Sequence, residues 1–163
     1  MNWTTLTTLS LVAGLGGPVA PVRTESPRIR LTTYLLFDGN CRAAMTFYQS
    51  VLGGTLTMTT VGESPMQGAF PPSMQGKIVS ARLTGALVDL SASDWLRPSV
   101  RPISGNRVML YLSGGTPAET RALFQKLSDG ADVTDPFSEQ PFGWYGALND
   151  RFGNRWMFHA DAG

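Results

Sequence analysis

The chain contains one histidine, His159, and one cysteine, Cys41, in 163 residues. A zinc or iron site built on two or three imidazoles therefore cannot be assembled within one chain, and a cysteine-rich metal site or an intramolecular disulfide is equally excluded. Charge is sparse as well. Thirteen basic and twelve acidic side chains nearly cancel, and no basic run breaks that balance. The electrostatic footprint of a nucleic-acid binder is missing. A long uninterrupted apolar run is also lacking. The stretch from Leu6 to Val22 is apolar but broken by Gly14, Gly16, Gly17, Pro18 and Pro21. It falls short of the roughly 20 apolar residues that cross a bilayer. Met1–Ser10 has no Lys or Arg, so the basic start of a secretory signal is absent. These absences predict no nucleic-acid partner, no membrane span, and a flexible N-terminal extension over residues 1–28. A lone free thiol suits a reducing, cytoplasmic setting.

What is present is enough apolar residue, 42%, to fill a core. The length suits one domain or two small fused modules. A repeat favours the second. Leu31–Phe37 aligns with Arg107–Ser113, Phe47-Tyr48-Gln49 with Leu123-Phe124-Gln125, and Gly54 with Gly130, each at an offset of 76 residues. That spacing exceeds the roughly 20–50 residues of a solenoid unit and points to two similar modules.

Each copy reads as a strand, a polar turn, a helix and a glycine stop. In the first helix Ala44, Phe47, Tyr48, Val51 and Leu52 make one apolar stripe of 3.6-residue period. Asn40 is its expected N-cap, and Gly53-Gly54 its stop. In the second, Thr116-Pro117-Ala118-Glu119 is a capping box with proline at the first helical position. Strands are expected over Thr55–Val61, Lys77–Leu83 and Ala86–Ser91, with a loop from Gly62 to Gly76 between the first two. Within Lys77–Leu83, Val79, Ala81 and Leu83 form the expected core side. After the second helix come Val133, Tyr145–Asn149 and Arg155–Ala160, the last two joined by a turn over Asp150–Gly153. Each copy is thus β-α-β-β-β, and the fold class is α+β.

Three stretches carry a family resemblance: Tyr34–Tyr48 with Leu52-Gly53-Gly54, Ser93-Asp94, and Phe142-Gly143 followed by Asp150–Trp156. Together they make the chain resemble the PhnB-like branch of the vicinal-oxygen-chelate superfamily, which includes glyoxalases, bleomycin-resistance proteins and extradiol dioxygenases. The resemblance implies a domain over residues 29–163 built of two βαβββ modules, about 29–95 and 105–160, forming a shared curved-sheet cleft. In family members the cleft holds a divalent metal or binds a ligand without one. By position, the metal-ligating places fall near Thr33, Ser80, Asp89 (or Ser91), Met109 and Met157. Only Asp89 suits a hard cation, and one carboxylate is far short of a ligand set. No metal site and no cofactor are expected. A link of this branch to ubiquinone methylation finds no support, since no glycine-rich loop follows a strand and opens a helix as an adenosyl-cofactor site would.

Aromatic walls with a few polar heads suit an organic ligand. Tyr34, Asp94, Arg107, Tyr111, Trp144 and Trp156 are the candidate contacts. Tyr145 and Arg151 belong to the same large polar-tipped set. The same residues would equally build a sheet core and a dimer face, because sequence does not say which strand face points inward. Asp94 serves a ligand at the cleft mouth or caps a turn. His159 shares a strand face with Met157 and reads as a pocket acid–base or as a strand-end residue. Cys41, at a helix start beside Arg42, is a nucleophile or a half-buried structural thiol. The Met58–Met74 region, with Met58, Met66, Met74 and Phe70-Pro71-Pro72, reads as a lid or as plain packing. The reading that demands least of these residues is a non-enzymatic, homodimeric binder of a small organic molecule. The alternatives are an enzyme of the same fold with an altered metal set, of lyase, isomerase or dioxygenase type, and a homodimeric module with no ligand.

Overall fold

The structure, a computed structural model, describes residues 29, 31–97, 99–100, 102–103, 105 and 107–162. The chain divides into units Met1–Leu31 and Thr32–Gly163, and every element described lies in the second. The extension expected over residues 1–28 lies outside the described residues.

Ten main elements follow the expected order. The first module holds β1 (Thr33–Phe37), α1 (Cys41–Leu52), β2 (Thr55–Thr60), β3 (Ile78–Thr84) and β4 (Asp89–Asp94). The second holds β5 (Leu110–Ser113), α2 (Pro117–Leu127), β6 (Asp132–Gln140), β7 (Gly143–Asn149) and β8 (Arg155–Ala160). They form two four-stranded sheets, ordered β1-β4-β3-β2 and β5-β8-β7-β6, each with one parallel pair and two antiparallel pairs. The parallel pair arises because the helix carries the chain back across its sheet, as a βα crossover must. The architecture is the α+β, two-module one that the repeat predicts.

The two helices are started by different means. Thr116 and Glu119 close the expected capping box on α2. Asn40 makes no side-chain cap on α1. Instead Asp94, at the far end of β4, accepts the Cys41 N–H at 3.0 Å through Oδ1 and the Ile78 N–H at 2.7 Å through Oδ2. A carboxylate here satisfies an orphan helix donor and suits the positive end of the helix dipole. It also ties the starts of α1 and β3 to the end of β4.

Three features of the strands differ from local expectation. The fourth strand starts at Asp89 rather than Ala86, because Gly85–Val88 closes a tight turn and leaves Leu87 exposed. The β2–β3 register slips between Thr59 and Thr60, so Thr60 pairs with Ile78 while Thr59 pairs with Ser80. The bulge admits Val79 as an extra residue and turns Ile78 into the core, 1% exposed, against strict alternation. The sixth strand runs nine residues despite Pro136. As an edge strand with two register shifts it tolerates a residue without an N–H.

One core serves both modules. On α1, Tyr48 is fully buried and its ring meets Trp156 of β8 at 5.4 Å and Phe152 at 6.0 Å. On α2, Phe124 packs edge-on against Phe158 at 5.1 Å. Beneath these rings, Asp150 is only 4% exposed and accepts four hydrogen bonds. Tyr48 Oη donates at 2.5 Å, Trp156 Nε1 at 2.8 Å, and the Phe152 and Asn154 amides at 2.9 Å each. Burial, then the neighbouring Asp150 charge, raises the Tyr48 pKa, which keeps the phenol a donor. A fully partnered buried carboxylate thus pins the first helix to the second module.

Candidate functional site

Register and burial sort each sheet into a side that packs on helices and a free side. In the first sheet Leu35, Phe37, Ala81, Leu83, Leu90 and Ala92 line the core. The alternate residues form the free face. Tyr34 pairs with Ser91, which pairs with Arg82, and Leu36 pairs with Ser93. Tyr34 is 55% exposed. Asp89 lies on the same face, and Arg82 holds it through both carboxylate oxygens at 3.3 Å.

The free face of the second sheet follows the same rule. Tyr111, 52% exposed, pairs with Met157, and Ser113 with His159, which pairs in turn with Tyr145. His159 Nε2 lies 3.1 Å from the Phe142 carbonyl, and the two rings stack at 6.3 Å. Arg155 lies on this face opposite Asn149, and its buried Nε has no partner among the described residues.

The six candidate contacts therefore divide. Tyr34 and Tyr111 stand on free faces. Arg107 is exposed just before β5. Alternation turns the other three toward the helices, away from the free faces. Asp94 is buried and spends both oxygens on backbone amides. Trp156 is 2% exposed and bonded to Asp150. Trp144 stacks on Phe137 at 5.8 Å, with the Arg121 guanidinium of α2 over its ring at 4.8 Å. Sequence reasoning passed over Arg82 and Arg155, the cations of the free faces. Their strand parity would have found them once Leu83 and Trp156 were assigned to the core.

Cys41 is fully buried, and its thiol pKa is pushed up to about 12 by burial first and by the Asp94 charge second, with Arg42 offsetting part of the rise. A thiol so placed is a packing group rather than a nucleophile at neutral pH.

The places that metal users of this fold would fill do not fit a catalytic cation. Thr33 lies on the helix side, with Tyr34 in its stead on the free face. Ser80 and Met157 offer no hard anionic donor, and Asp89 is engaged by Arg82. Among the described residues no three His, Cys, Asp or Glu side chains gather as a metal site would require.

The family model described as 3-demethylubiquinone-9 3-methyltransferase matches residues 29–158. The chain belongs to this family, the PhnB-like branch of the glyoxalase and bleomycin-resistance group. Protein PA1353 from Pseudomonas aeruginosa is similar over 82% of this chain and 98% of its own, at 33% identity and a TM-score of 0.73. A Bacillus cereus PhnB protein, described as a putative 3-demethylubiquinone-9 3-methyltransferase, shares 23% identity over 81% of this chain and 99% of its own, with a TM-score of 0.63. A glyoxalase/bleomycin resistance protein/dioxygenase from Nocardioides shares 20% over 84% and 87%, with a TM-score of 0.51. The last two likenesses are of fold. No curated protein matches the chain. Among the described residues, no helix of this PhnB-like chain is long and apolar enough to cross a membrane.

Proposed function

We propose that this PhnB-like chain binds a small, ring-bearing organic molecule on the free faces of its sheets, without a metal. The observation that carries the reading is the pair Tyr34 and Tyr111, each more than half exposed on the free face of its module's first strand, opposite Ser91 and Met157. Exposed aromatic faces with nearby polar heads supply both contact area and orientation. Arg82, Arg155 and Arg107 add the polar heads, and the sole carboxylate at the expected metal places is already balanced by Arg82. The test is ligand-observed NMR of an aromatic fragment collection against protein held in EDTA. Hits should persist in chelator and be lost in both Tyr34→Ala and Tyr111→Ala. Hits that vanish in chelator, or survive both substitutions, would refute the reading.

A second chain bordering the same faces is the accompanying proposal. Leu36, Met109 and Phe142 are 48%, 39% and 63% exposed. Large apolar side chains left exposed in this number suit a surface for association. Sedimentation equilibrium should give a dimer that Leu36→Asp weakens. A monomer at all concentrations would overturn it. The buried, unreactive Cys41 and the near-neutral charge suit a cytoplasmic protein with no nucleic-acid partner.

A further inference from the structure

The repeat is broken at one place. The fourth strands of the modules, Asp89–Asp94 and Arg155–Ala160, are offset by 66 residues rather than 76, because the first module alone carries the loop between β2 and β3. That loop is not loose packing. Val61 N–H donates to the Lys77 carbonyl and Gly62 N–H to the Gln75 carbonyl, at 2.9 Å each, closing its base. Two short 3-10 turns, Gln67–Ala69 and Pro72–Met74, shape its length. The Gln75 side-chain amide donates to the carbonyls of Phe70 at 2.8 Å and Gln67 at 3.1 Å, fixing the turns to one another.

Between this loop and the segment leaving β4 lies a hollow of about 640 Å³. Phe70 and Met74 line it from the loop, Trp95 and Arg97 from the segment after β4, and Asp38 and Lys77 from its base. The walls are held in advance of any occupant. Asp94 ties Ile78, next to Lys77, to the strand end that carries Trp95. The Trp95 amide donates to the Phe37 carbonyl, and its indole N–H to the Val100 carbonyl. Arg97 lies over the indole at 5.8 Å. Neither Lys77 nor Arg97 is in an ion pair among the described residues, so the lining carries two cations against the one carboxylate of Asp38. The hollow is formed by residues that the free sheet faces do not use.

We infer that this hollow is a second binding site, and that it takes an anionic aromatic molecule. A volume of this size suits a small organic ligand. A flat ring would lie against Trp95 and Phe70, and its carboxylate would meet Lys77 and Arg97, the geometry that cation and aromatic walls favour together. The second module, lacking the loop, offers no equivalent.

The experiment uses the full chain and 2-naphthoate as the probe, with 2-naphthamide as its neutral counterpart. Two-dimensional ¹⁵N NMR reads the Trp95 indole and the backbone amides of residues 67–77 during titration. The site predicts saturable shifts at these signals, at least tenfold weaker binding of the amide, and a loss of about tenfold in affinity in Lys77→Met. Among the described residues the Lys77 side chain makes no hydrogen bond or ion pair, and an unchanged spectrum elsewhere verifies the fold of Lys77→Met. Three outcomes would overturn the inference: no shift at Trp95, equal binding of acid and amide, or shifts confined to Tyr34, Tyr111 and their neighbours. The last would place naphthoate on the free sheet faces and leave that separate proposal standing.

Discussion

Replacing Tyr48 by Phe isolates one bond at the centre of the fold. The ring keeps its contacts with Trp156 and Phe152, and only the hydroxyl disappears. That hydroxyl donates to the buried Asp150 carboxylate at 2.5 Å and accepts from the Asn154 amide at 2.8 Å. A hydrogen bond to a charged group contributes roughly 1.5–3 kcal/mol. Asp150 keeps three other donors, so the carboxylate is not abandoned, and the expected loss is about 2 kcal/mol. Asp150→Ala is the harsher change. It strands the Trp156 indole N–H, the Tyr48 hydroxyl and two amides, for a loss of roughly 3–5 kcal/mol. In the double variant the two losses should overlap by about 1–2 kcal/mol, since both break the same contact. Urea titrations at pH 7 followed by tryptophan fluorescence read all four proteins. Tyr48→Phe within about 0.5 kcal/mol of the parent, or strictly additive losses, would refute the view that this network joins the first helix to the second module.

Three further outcomes follow from the same structure. Cys41 should resist a thiol reagent at pH 8 in the native protein and react at once in urea; because its folded pKa lies above its unfolded value, stability should fall as pH rises from about 9 toward 12, readable in urea midpoints. Thr116→Ala removes the side-chain cap of α2 and should cost about 1 kcal/mol in the same titration. Gly54 holds φ +92, and a Cβ there would stand 2.5 Å from the Thr84 carbonyl oxygen, so Gly54→Ala should destabilise the fold by more than about 1 kcal/mol, read as a lower melting temperature.

The parts legible in the sequence are those set by local rules. The α1 stripe, the α2 capping box and the offset of 76 residues all depend on neighbours within a turn or on internal similarity, and the fold grew from them. What escaped depends on distant partners. Nothing near Cys41 announces that its helix is capped by Asp94, 53 residues away. Val79 gives no local sign that a bulge will send Ile78 inward. The candidate site suffered most from this. Asp94 and Trp156 carry polar tips that suit a ligand, yet in the fold those tips serve a helix end and a buried carboxylate. Tyr34 and Tyr111 reach the free faces by strand register, opposite Ser91 and Met157, and not by the offset of 76 residues, which sets Tyr34 against the buried Leu110.

The most direct test of a metal-free site is calorimetry of chelator-stripped protein with one to ten equivalents of Ni²⁺ or Mn²⁺. A cation held by the native fold alone would stabilise it by about 2.7 kcal/mol at a hundred times its Kd. The donor set at Ser80, Asp89, Met109 and Met157 predicts a melting temperature that neither ion moves. A saturable rise at stoichiometric cation, abolished by Asp89→Asn, would contradict it.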